Sequence, residues 1–214
     1  MDKQMQNFFN KRADSYDEVH ISHIDGGIKT KEMVSNFVPQ NSKKVLDLGA
    51  GTGLELKHVF QKFPSIEVDC VDFAENMLKK LKDKYKNYNV NIINQDFFDF
   101  HYKKSFYDCV ISVMALHHFA YEQKLKLYKY IHKTLKPDGA FIISDYIVDS
   151  IEEEKEKFEE YEKSLEIKNE NNEDVHIDIP LSLKTETEIL KKCNFKNIKV
   201  RMNLKNTKLI TCIK

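Results

Sequence analysis

The chain is poor in residues that rigidify or cross-link a fold: its 214 residues include no tryptophan, four prolines, four cysteines and six glycines. Cys70, Cys109, Cys193 and Cys212 form no Cys-x-x-Cys pair and have no histidine at zinc-like spacing. The pattern argues against a disulfide-stapled miniprotein and against a cysteine-based metal site. Three of the four lie in apolar, strand-like runs, which predicts buried, reduced thiols.

The sequence also lacks an excess of charge of either sign and any long apolar run. Its 34 basic and 34 acidic side chains cancel, which argues against a protein that holds nucleic acid by bulk charge. The longest apolar stretches, such as residues 110–116, are far shorter than the roughly 20 residues that a bilayer requires. The N-terminal residues resemble no secretion signal. We therefore predict a cytoplasmic protein with neither a membrane nor a nucleic acid as its partner.

Periodicity predicts alternating strands and helices through the first two thirds of the chain. Strands are expected at 43–49, 66–72, 90–93, 107–116 and 139–148, and helices at 54–63, 74–85 and 121–136. The third of these helices is expected to end at the turn Pro137-Asp138-Gly139. Further helices are expected at 4–20 and 185–195, and residues 151–174 are expected to form a charged amphipathic helix followed by a polar, Asn-rich loop. Two strands that close as a hairpin follow. The expected fold is α/β: a doubly wound, mostly parallel seven-stranded sheet with helices on both faces and a C-terminal antiparallel hairpin.

Two blocks of opposite charge occupy the C-terminal third. Residues 145–178 contain fourteen acidic and four basic side chains, a net charge of −10. Residues 184–214 contain nine basic and two acidic ones, a net charge of +7. The simpler interpretation is two solvated faces that offset each other. The alternative is an acidic lid and a basic patch that attracts an anionic substrate.

Three of the six glycines, Gly49, Gly51 and Gly53, alternate directly after the first core strand and before a helix. Such a loop brings backbone N–H groups and a helix N-terminus close to a ligand. Asp72 follows at the end of the second strand. An acid at that point of a doubly wound fold accepts hydrogen bonds from ribose hydroxyls. The pair predicts an adenosine-containing ligand at the carboxyl ends of the strands.

The loop departs from the dinucleotide fingerprint G-x-G-x-x-G, because the third glycine position falls on Leu54. Asp47, two residues before the first glycine, would place a negative charge beside a pyrophosphate. The same charge suits a cationic ligand or one with an ammonium group. A nicotinamide cofactor is therefore disfavoured.

Five segments together resemble class I S-adenosylmethionine-dependent methyltransferases of the small-molecule type. They are VLDLGAGTG (45–53), VDFAENML (71–78), NQDFFDF (94–100), SVMALHHF (112–119) and LKPDGAFIISD (135–145). The resemblance runs in unbroken order over residues 40–146, and RADSYDEV (12–19) is similar to the N-terminal entry of many such enzymes. It implies a single domain with S-adenosylmethionine as its cofactor. Residues 1–40 would be a helical cover, 41–146 the cofactor-binding core, 147–183 an insertion over the acceptor site and 184–214 the closing helix and strands.

The resemblance also implies a set of cofactor contacts. Gly49, Ala50 and Gly51 would lie against the methionine half of the cofactor, and Asp47 would reach its amino group. Asp72 would bind the ribose hydroxyls. Phe73 and Met77 would flank the adenine, and Asp96 would accept a hydrogen bond from the adenine amino group near the Phe97 N–H. Core packing is an equal alternative for Phe73 and Met77, and capping of a loop is the alternative for Asp96.

His117 and His118 are the candidate general bases, because an imidazole titrates near neutrality and both follow the fourth strand. Of two adjacent histidines, one is expected to face away from the site. Tyr16, His23, Asp145 and His176 are candidates for the substrate pocket. No metal is expected, because Ser112 and Met114 occupy the place where a metal-assisted O-methyltransferase carries a carboxylate.

The acceptor half is the part on which the sequence says least. We expect methyl transfer to a small molecule. A methyltransferase acting on tRNA or protein, and a non-catalytic S-adenosylmethionine-binding protein, remain alternatives, and a homodimer is left open.

Overall fold

Seven strands form one sheet in the computed structural model, which describes residues 3–22, 27–171 and 178–214. The strands are β1 (Lys44–Leu48), β2 (Glu67–Asp72), β3 (Val90–Asn94), β4 (Tyr107–Val113), β5 (Leu135–Tyr146), β6 (Lys196–Leu204) and β7 (Thr207–Ile213). Their order is β3-β2-β1-β4-β5-β7-β6. The first five pair in parallel, and β7 pairs antiparallel with β5 and with β6. The predicted doubly wound sheet and its C-terminal antiparallel hairpin are confirmed.

The helices differ from the predicted ones mainly at the N-terminus. They are α1 (Lys3–Arg12), α2 (Tyr16–Ser22), α3 (Gly27–Phe37), α4 (Leu56–Lys62), α5 (Glu75–Lys84), α6 (Tyr121–Thr134), α7 (Ile151–Asn171) and α8 (Leu183–Lys192). The single helix predicted over 4–20 is wrong. The chain turns at residues 13–15, where Ser15 N–H bonds the Arg12 carbonyl and the Ser15 carbonyl accepts from Val19 as α2 begins. Helix α3 was not predicted.

The turn predicted at residues 137–139 does not end α6. That helix ends at Thr134, and β5 begins at Leu135. Asp138 has a φ of 60°, so the backbone does turn there, but within the first residues of the strand. The strand predicted over 107–116 ends at Val113, and Leu116–His118 form a short 3-10 turn.

Both faces of the sheet carry apolar side chains that are buried against helices, as the near-continuous apolar runs of the strands predict. Leu46 and Val110 pack on one face with α6 and α8, whereas Val45 and Cys109 pack on the other with α3, α4 and α5. All four cysteines are buried free thiols, which confirms the prediction for the three in strand-like runs and adds Cys193. Within the described ranges, no helix combines the length and the apolar character that crossing a bilayer demands.

Helices α6 and α8 are joined by a buried polar cluster. Lys124 Nζ donates to Glu186 Oε2 at 2.9 Å, and the Tyr128 hydroxyl donates to the other oxygen of the same carboxylate. The Lys124 and Glu186 side chains are 1% and 0% exposed. Removing one partner therefore leaves the other charge buried without compensation.

The substitution Glu186→Ala should lower the free energy of unfolding by about 3–5 kcal/mol, because Lys124 would be left without its carboxylate. Denaturant unfolding followed by circular dichroism measures the loss. Glu188→Ala is the matched control, since Glu188 lies on the same helix but is exposed. Equal effects of the two substitutions would contradict the assignment.

Candidate active site

The glycine loop after β1 forms the base of a cleft at the carboxyl ends of the strands. A Cβ on Gly49 would lie 2.4 Å from the Ala115 Cβ, so this glycine lets the loop pack against the segment after β4. Gly51 has a φ of +52°, and a Cβ there would meet no atom within 4 Å. The space over Gly51 is therefore open to a ligand, while Gly49 serves packing.

Asp72, the last residue of β2, connects the loop to the next helix. Its carboxylate accepts from the Gly51 N–H and from the Ala74 N–H, each at 2.8 Å. Burial raises the pKa of Asp72 to about 6, and the N–H donors of Ala74 and Gly51 act in the opposite direction. A carboxylate has roughly four acceptor positions, so this one can accept further hydrogen bonds from a ligand.

A second group of charges lies beneath the loop. Both carboxylate oxygens of Asp47, together with Glu55 Oε1 and Lys31 Nζ, are buried and have no hydrogen-bond partner among the described residues. Burial and the neighbouring Glu55 raise the pKa of Asp47, and burial lowers that of Lys31. Lys31 and Glu55 line a small cavity together with Ala50 and Gly51. Unpartnered groups of both signs suit a ligand that carries both an ammonium and a carboxylate.

Sequence reasoning missed Lys31 and Glu55. Lys31 lies on the unpredicted helix α3, far in sequence from the loop that it approaches. Glu55 directly precedes α4 and was assigned to the helix after the glycines. Its spacing from Asp47 carries no motif that we recognised, so only the folded arrangement shows that the two carboxyls are neighbours.

The other side of the loop opens into a cleft at the carboxyl ends of the strands. Phe73, Met77 and Phe97 line it, in the positions where the resemblance places adenine contacts. Asp96 does not appear among the lining residues. Its Oδ1 accepts from the Phe98 N–H at 2.9 Å, which is the loop-capping role given above as the alternative. Its adenine contact stays a prediction.

Helices α1 and α2 lie across this cleft and are attached to α5 and to the glycine loop. Gln6 Nε2 donates to the Phe73 carbonyl at 2.6 Å, and Asn10 accepts from the Asn76 N–H. Asp17 accepts from the Thr52 hydroxyl at 2.5 Å and pairs with Lys84. The N-terminal segment is thereby held over the site.

Phe9 and Tyr16 are the aromatic residues that these helices contribute to the cleft. The Phe9 ring lies 6.2 Å from the ring of Phe73 and 5.5 Å from that of His118. Tyr16 lines both cavities, and burial raises the pKa of its hydroxyl well above the usual value. Tyr16 therefore lies where the two cavities meet, and its contact with a substrate stays a prediction.

The two histidines after β4 lie side by side, with ring centroids 3.9 Å apart. The 3-10 turn Leu116–His118 carries both residues, and the expectation that one of them faces away from the site stays a prediction. His118 lines the cleft, whereas His117 is 5% exposed and lies behind it.

Asp145, at the end of β5, positions His117 and does not line the cleft. Its Oδ1 accepts from His117 Nδ1 at 2.5 Å and its Oδ2 from the Leu116 N–H at 2.8 Å. Burial alone would lower the pKa of His117, but Asp145 outweighs it and raises that pKa. Asp145 was predicted to lie in the substrate pocket. It is 1% exposed and is not among the residues that line the cleft, so its role in the substrate pocket stays a prediction.

Asp178 is a further residue that sequence reasoning missed. Its Oδ1 lies 3.1 Å from His118 Nδ1 and 3.6 Å from His117 Nε2. It lies far along the chain from His118 and belongs to no motif. The predicted pocket residues His23 and His176 lie outside the described residues.

Together, the cleft at the carboxyl ends of the strands, the open glycine loop and Asp72 are features of a doubly wound protein that binds an adenosine-containing ligand. Residues 45–139 match the family model described as "Methyltransferase domain". Over this segment the chain resembles class I S-adenosylmethionine-dependent methyltransferases, which supports S-adenosylmethionine as its cofactor.

Two curated relatives illustrate the range of this similarity. The chain is 26% identical to phosphoethanolamine N-methyltransferase of Plasmodium falciparum over 81% of its own length and 61% of the relative's. It is 27% identical to malonyl-[acyl-carrier protein] O-methyltransferase 2 of Ilyobacter polytropus over 77% of its own length and 62% of the relative's. The chain thus spans about three fifths of either relative.

Among solved structures, the fold matches human N-acetylserotonin methyltransferase in complex with SAM, with a TM-score of 0.69 and 15% identity. The match covers 98% of this chain and 56% of that one. At this identity the likeness concerns the fold.

The described residues fit S-adenosylmethionine on three observations. The space over Gly51 is open, and Asp72 retains acceptor capacity. Both carboxyl oxygens of Asp47 and Oε1 of Glu55 are available to accept hydrogen bonds from the ammonium group of this ligand. Lys31 would meet the carboxylate of that ligand.

The substitution Asp72→Asn should weaken the binding of S-adenosylhomocysteine by about 10- to 100-fold. A hydrogen bond to a charged group contributes about 1.5–3 kcal/mol, and the amide also disturbs the bond to Gly51. Isothermal titration calorimetry measures the change. Asp83→Asn, on the exposed face of α5, is the matched control. An unchanged affinity in Asp72→Asn would remove the ribose assignment.

The same affinity should fall at acid pH. Below a pKa of about 6 the Asp72 carboxyl is protonated and must lose its proton before it can accept from two hydroxyls. Binding should therefore be about tenfold weaker at about pH 5 than at neutral pH. Titrations at both values measure this, and the contribution should disappear in Asp72→Asn. A wild-type affinity that rises on acidification would contradict it.

Proposed function

We propose that this chain transfers a methyl group from S-adenosylmethionine to a small-molecule acceptor. The observation that carries the proposal is the attachment of α1 and α2 across the cleft by Gln6, Asn10 and Asp17. A site covered in this way has little room for a folded macromolecule. The aromatic residues of the cover, Phe9 and Tyr16, suit an acceptor that is enclosed on several sides.

The cofactor supplies the electrophilic methyl group, and the residues of the chain bind and orient. Asp72 and the glycine loop fix one partner. Phe9, Tyr16 and His118 surround the space in which the other would lie. Alignment of two reactants can contribute roughly 7–11 kcal/mol, so positioning accounts for much of the expected rate.

Where the acceptor must lose a proton, His118 is better placed than His117 to take it, because His118 lines the cleft. His117 and Asp145 lie behind His118 and act as positioning residues. Asp145 accepts from His117 Nδ1 and keeps that ring in one orientation.

The same proposal assigns a role to the segments on either side of the cofactor-binding core. The N-terminal helices act as the cover. The segment 147–183 approaches the site at its end, where the Ile179 N–H donates to the His117 carbonyl at 2.9 Å and Asp178 meets both histidines. Of the acceptors named for the two relatives, phosphoethanolamine is a small molecule and malonyl-[acyl-carrier protein] carries its acyl group on a protein, so phosphorylated amines are the first class to test.

A methyl-labelled cofactor tests the acceptor class. Purified protein should label phosphorylated amines, carboxylic acids or their thioesters, and should leave bulk tRNA and protein unlabelled. Labelling of tRNA or protein alone would favour a macromolecular acceptor. Binding of S-adenosylhomocysteine without turnover on any class would favour a non-catalytic binder.

The substitution His118→Ala should reduce turnover by about 10²–10⁴ if this imidazole accepts the proton, and should leave S-adenosylhomocysteine affinity nearly unchanged. Steady-state kinetics and calorimetry separate the two effects. His101→Ala, at an exposed histidine, is the control. Full turnover in both His117→Ala and His118→Ala would exclude a histidine base.

A further inference from the structure

His117, His118 and Asp178 bring three metal-binding atoms to one place. His117 Nε2, His118 Nδ1 and a carboxylate oxygen of Asp178 all lie within 4.8 Å of one another. We propose that these atoms bind one divalent ion of a first-row transition metal, in a site that the sequence did not predict.

The spacing of the three atoms suits such an ion. A tetrahedral centre with bonds of about 2.0–2.2 Å places its ligand atoms about 3.4 Å apart. The distances from Asp178 Oδ1 to His118 Nδ1 and to His117 Nε2 are 3.1 and 3.6 Å. These two distances match the expected separation, and the two histidine nitrogens lie within 4.8 Å of each other, so the rings would rotate toward one another to close the site around an ion.

Asp145 supplies the orienting contact that a metal-binding histidine needs. Because the His117 Nδ1 atom donates to the Asp145 carboxylate, the lone pair of the neutral ring is left on Nε2, the atom that faces Asp178. Asp145 is itself held by the N–H groups of Leu116 and Tyr146, at 2.8 and 2.9 Å. A carboxylate–histidine pair of this kind fixes the tautomer and raises the basicity of the ligand atom.

The third ligand is held near the histidines by the backbone. The Ile179 N–H donates to the His117 carbonyl at 2.9 Å, which joins the residue after Asp178 to the 3-10 turn. Asp178 is 38% exposed, so an ion can reach it from solvent. Two residues adjacent in sequence and one from a distant segment thus meet through a specific hydrogen bond.

The donor set defines the class of ion. Two imidazole nitrogens and one carboxylate oxygen suit zinc, iron(II) and manganese, whereas magnesium and calcium prefer oxygen ligands alone. Three protein ligands leave at least one coordination position for water or for a heteroatom of an acceptor. His118 borders the cleft, so that position would lie beside the proposed acceptor space.

This inference is independent of the proposed methyl transfer, because the ion should bind to the chain alone. It does bear on the base. An imidazole nitrogen that holds a metal cannot accept a proton, so an occupied site would exclude His118 Nδ1 as the base and leave activation of the acceptor to the ion.

Zinc binding to untagged, chelator-treated protein tests the site. Competition against a chromophoric chelator should give one equivalent of bound Zn²⁺, and neither Mg²⁺ nor Ca²⁺ at the same concentration should displace it. His118→Ala and Asp178→Ala should each weaken binding at least about 100-fold, since even an orienting residue contributes 10–100-fold. Asp145→Asn should weaken it by about 10–100-fold.

His101→Ala and Asp138→Asn are matched controls at an exposed histidine and an exposed aspartate, and both should bind zinc as the wild type does. Asparagine suits Asp138 in particular because it tolerates the positive φ there. Thermal unfolding of each variant without metal verifies that it is folded. The proposal is overturned if the wild type binds no stoichiometric zinc, or if His118→Ala and Asp178→Ala both retain wild-type affinity. Activity plays no part in the readout, so failure here leaves the proposed methyl transfer intact.

Discussion

The carboxylate of Asp72 is the interaction on which the cofactor half of the molecule depends. It terminates β2, accepts from Gly51 in the loop after β1, and accepts from Ala74 at the beginning of α5. One buried group thus fixes the relative positions of three elements that surround the ligand. Its burial also keeps its pKa near 6, so the same group remains responsive to a ligand and to pH.

The features of the cofactor site that could be predicted are those whose residues lie close together in sequence. The strand, the glycine loop and Asp72 lie close together in sequence, and parallel strands bring their carboxyl ends to one edge. The sequence did not resolve the separate roles of the glycines: Gly49 permits packing against Ala115, and Gly51 leaves space for a ligand. Both glycines look alike in the motif because the neighbour that distinguishes them, Ala115, belongs to the distant segment after β4.

The residues that sequence reasoning missed depend on long-range contacts of single polar groups. Lys31, Glu55 and Asp178 follow no spacing rule, since each meets its neighbours only after the sheet has formed. The break between α1 and α2 was missed for another reason. Residues 13–15 contain neither proline nor glycine, and the helix ends there through backbone hydrogen bonds that no residue in the sequence marks.

The N-terminal cover is held by side-chain hydrogen bonds and ion pairs at the protein surface, together with a small apolar cluster of Ala13, Phe9 and Tyr16 against Ala74 and Met77. Surface pairs of this kind contribute little individually, and segments with few buried apolar contacts open at low free-energy cost. Local opening of the cover, without unfolding of the sheet, therefore offers the route by which a spent cofactor leaves and a fresh one enters. A cover with more buried apolar contacts would open at a higher free-energy cost, and the exchange of a bound ligand beneath it would be slower.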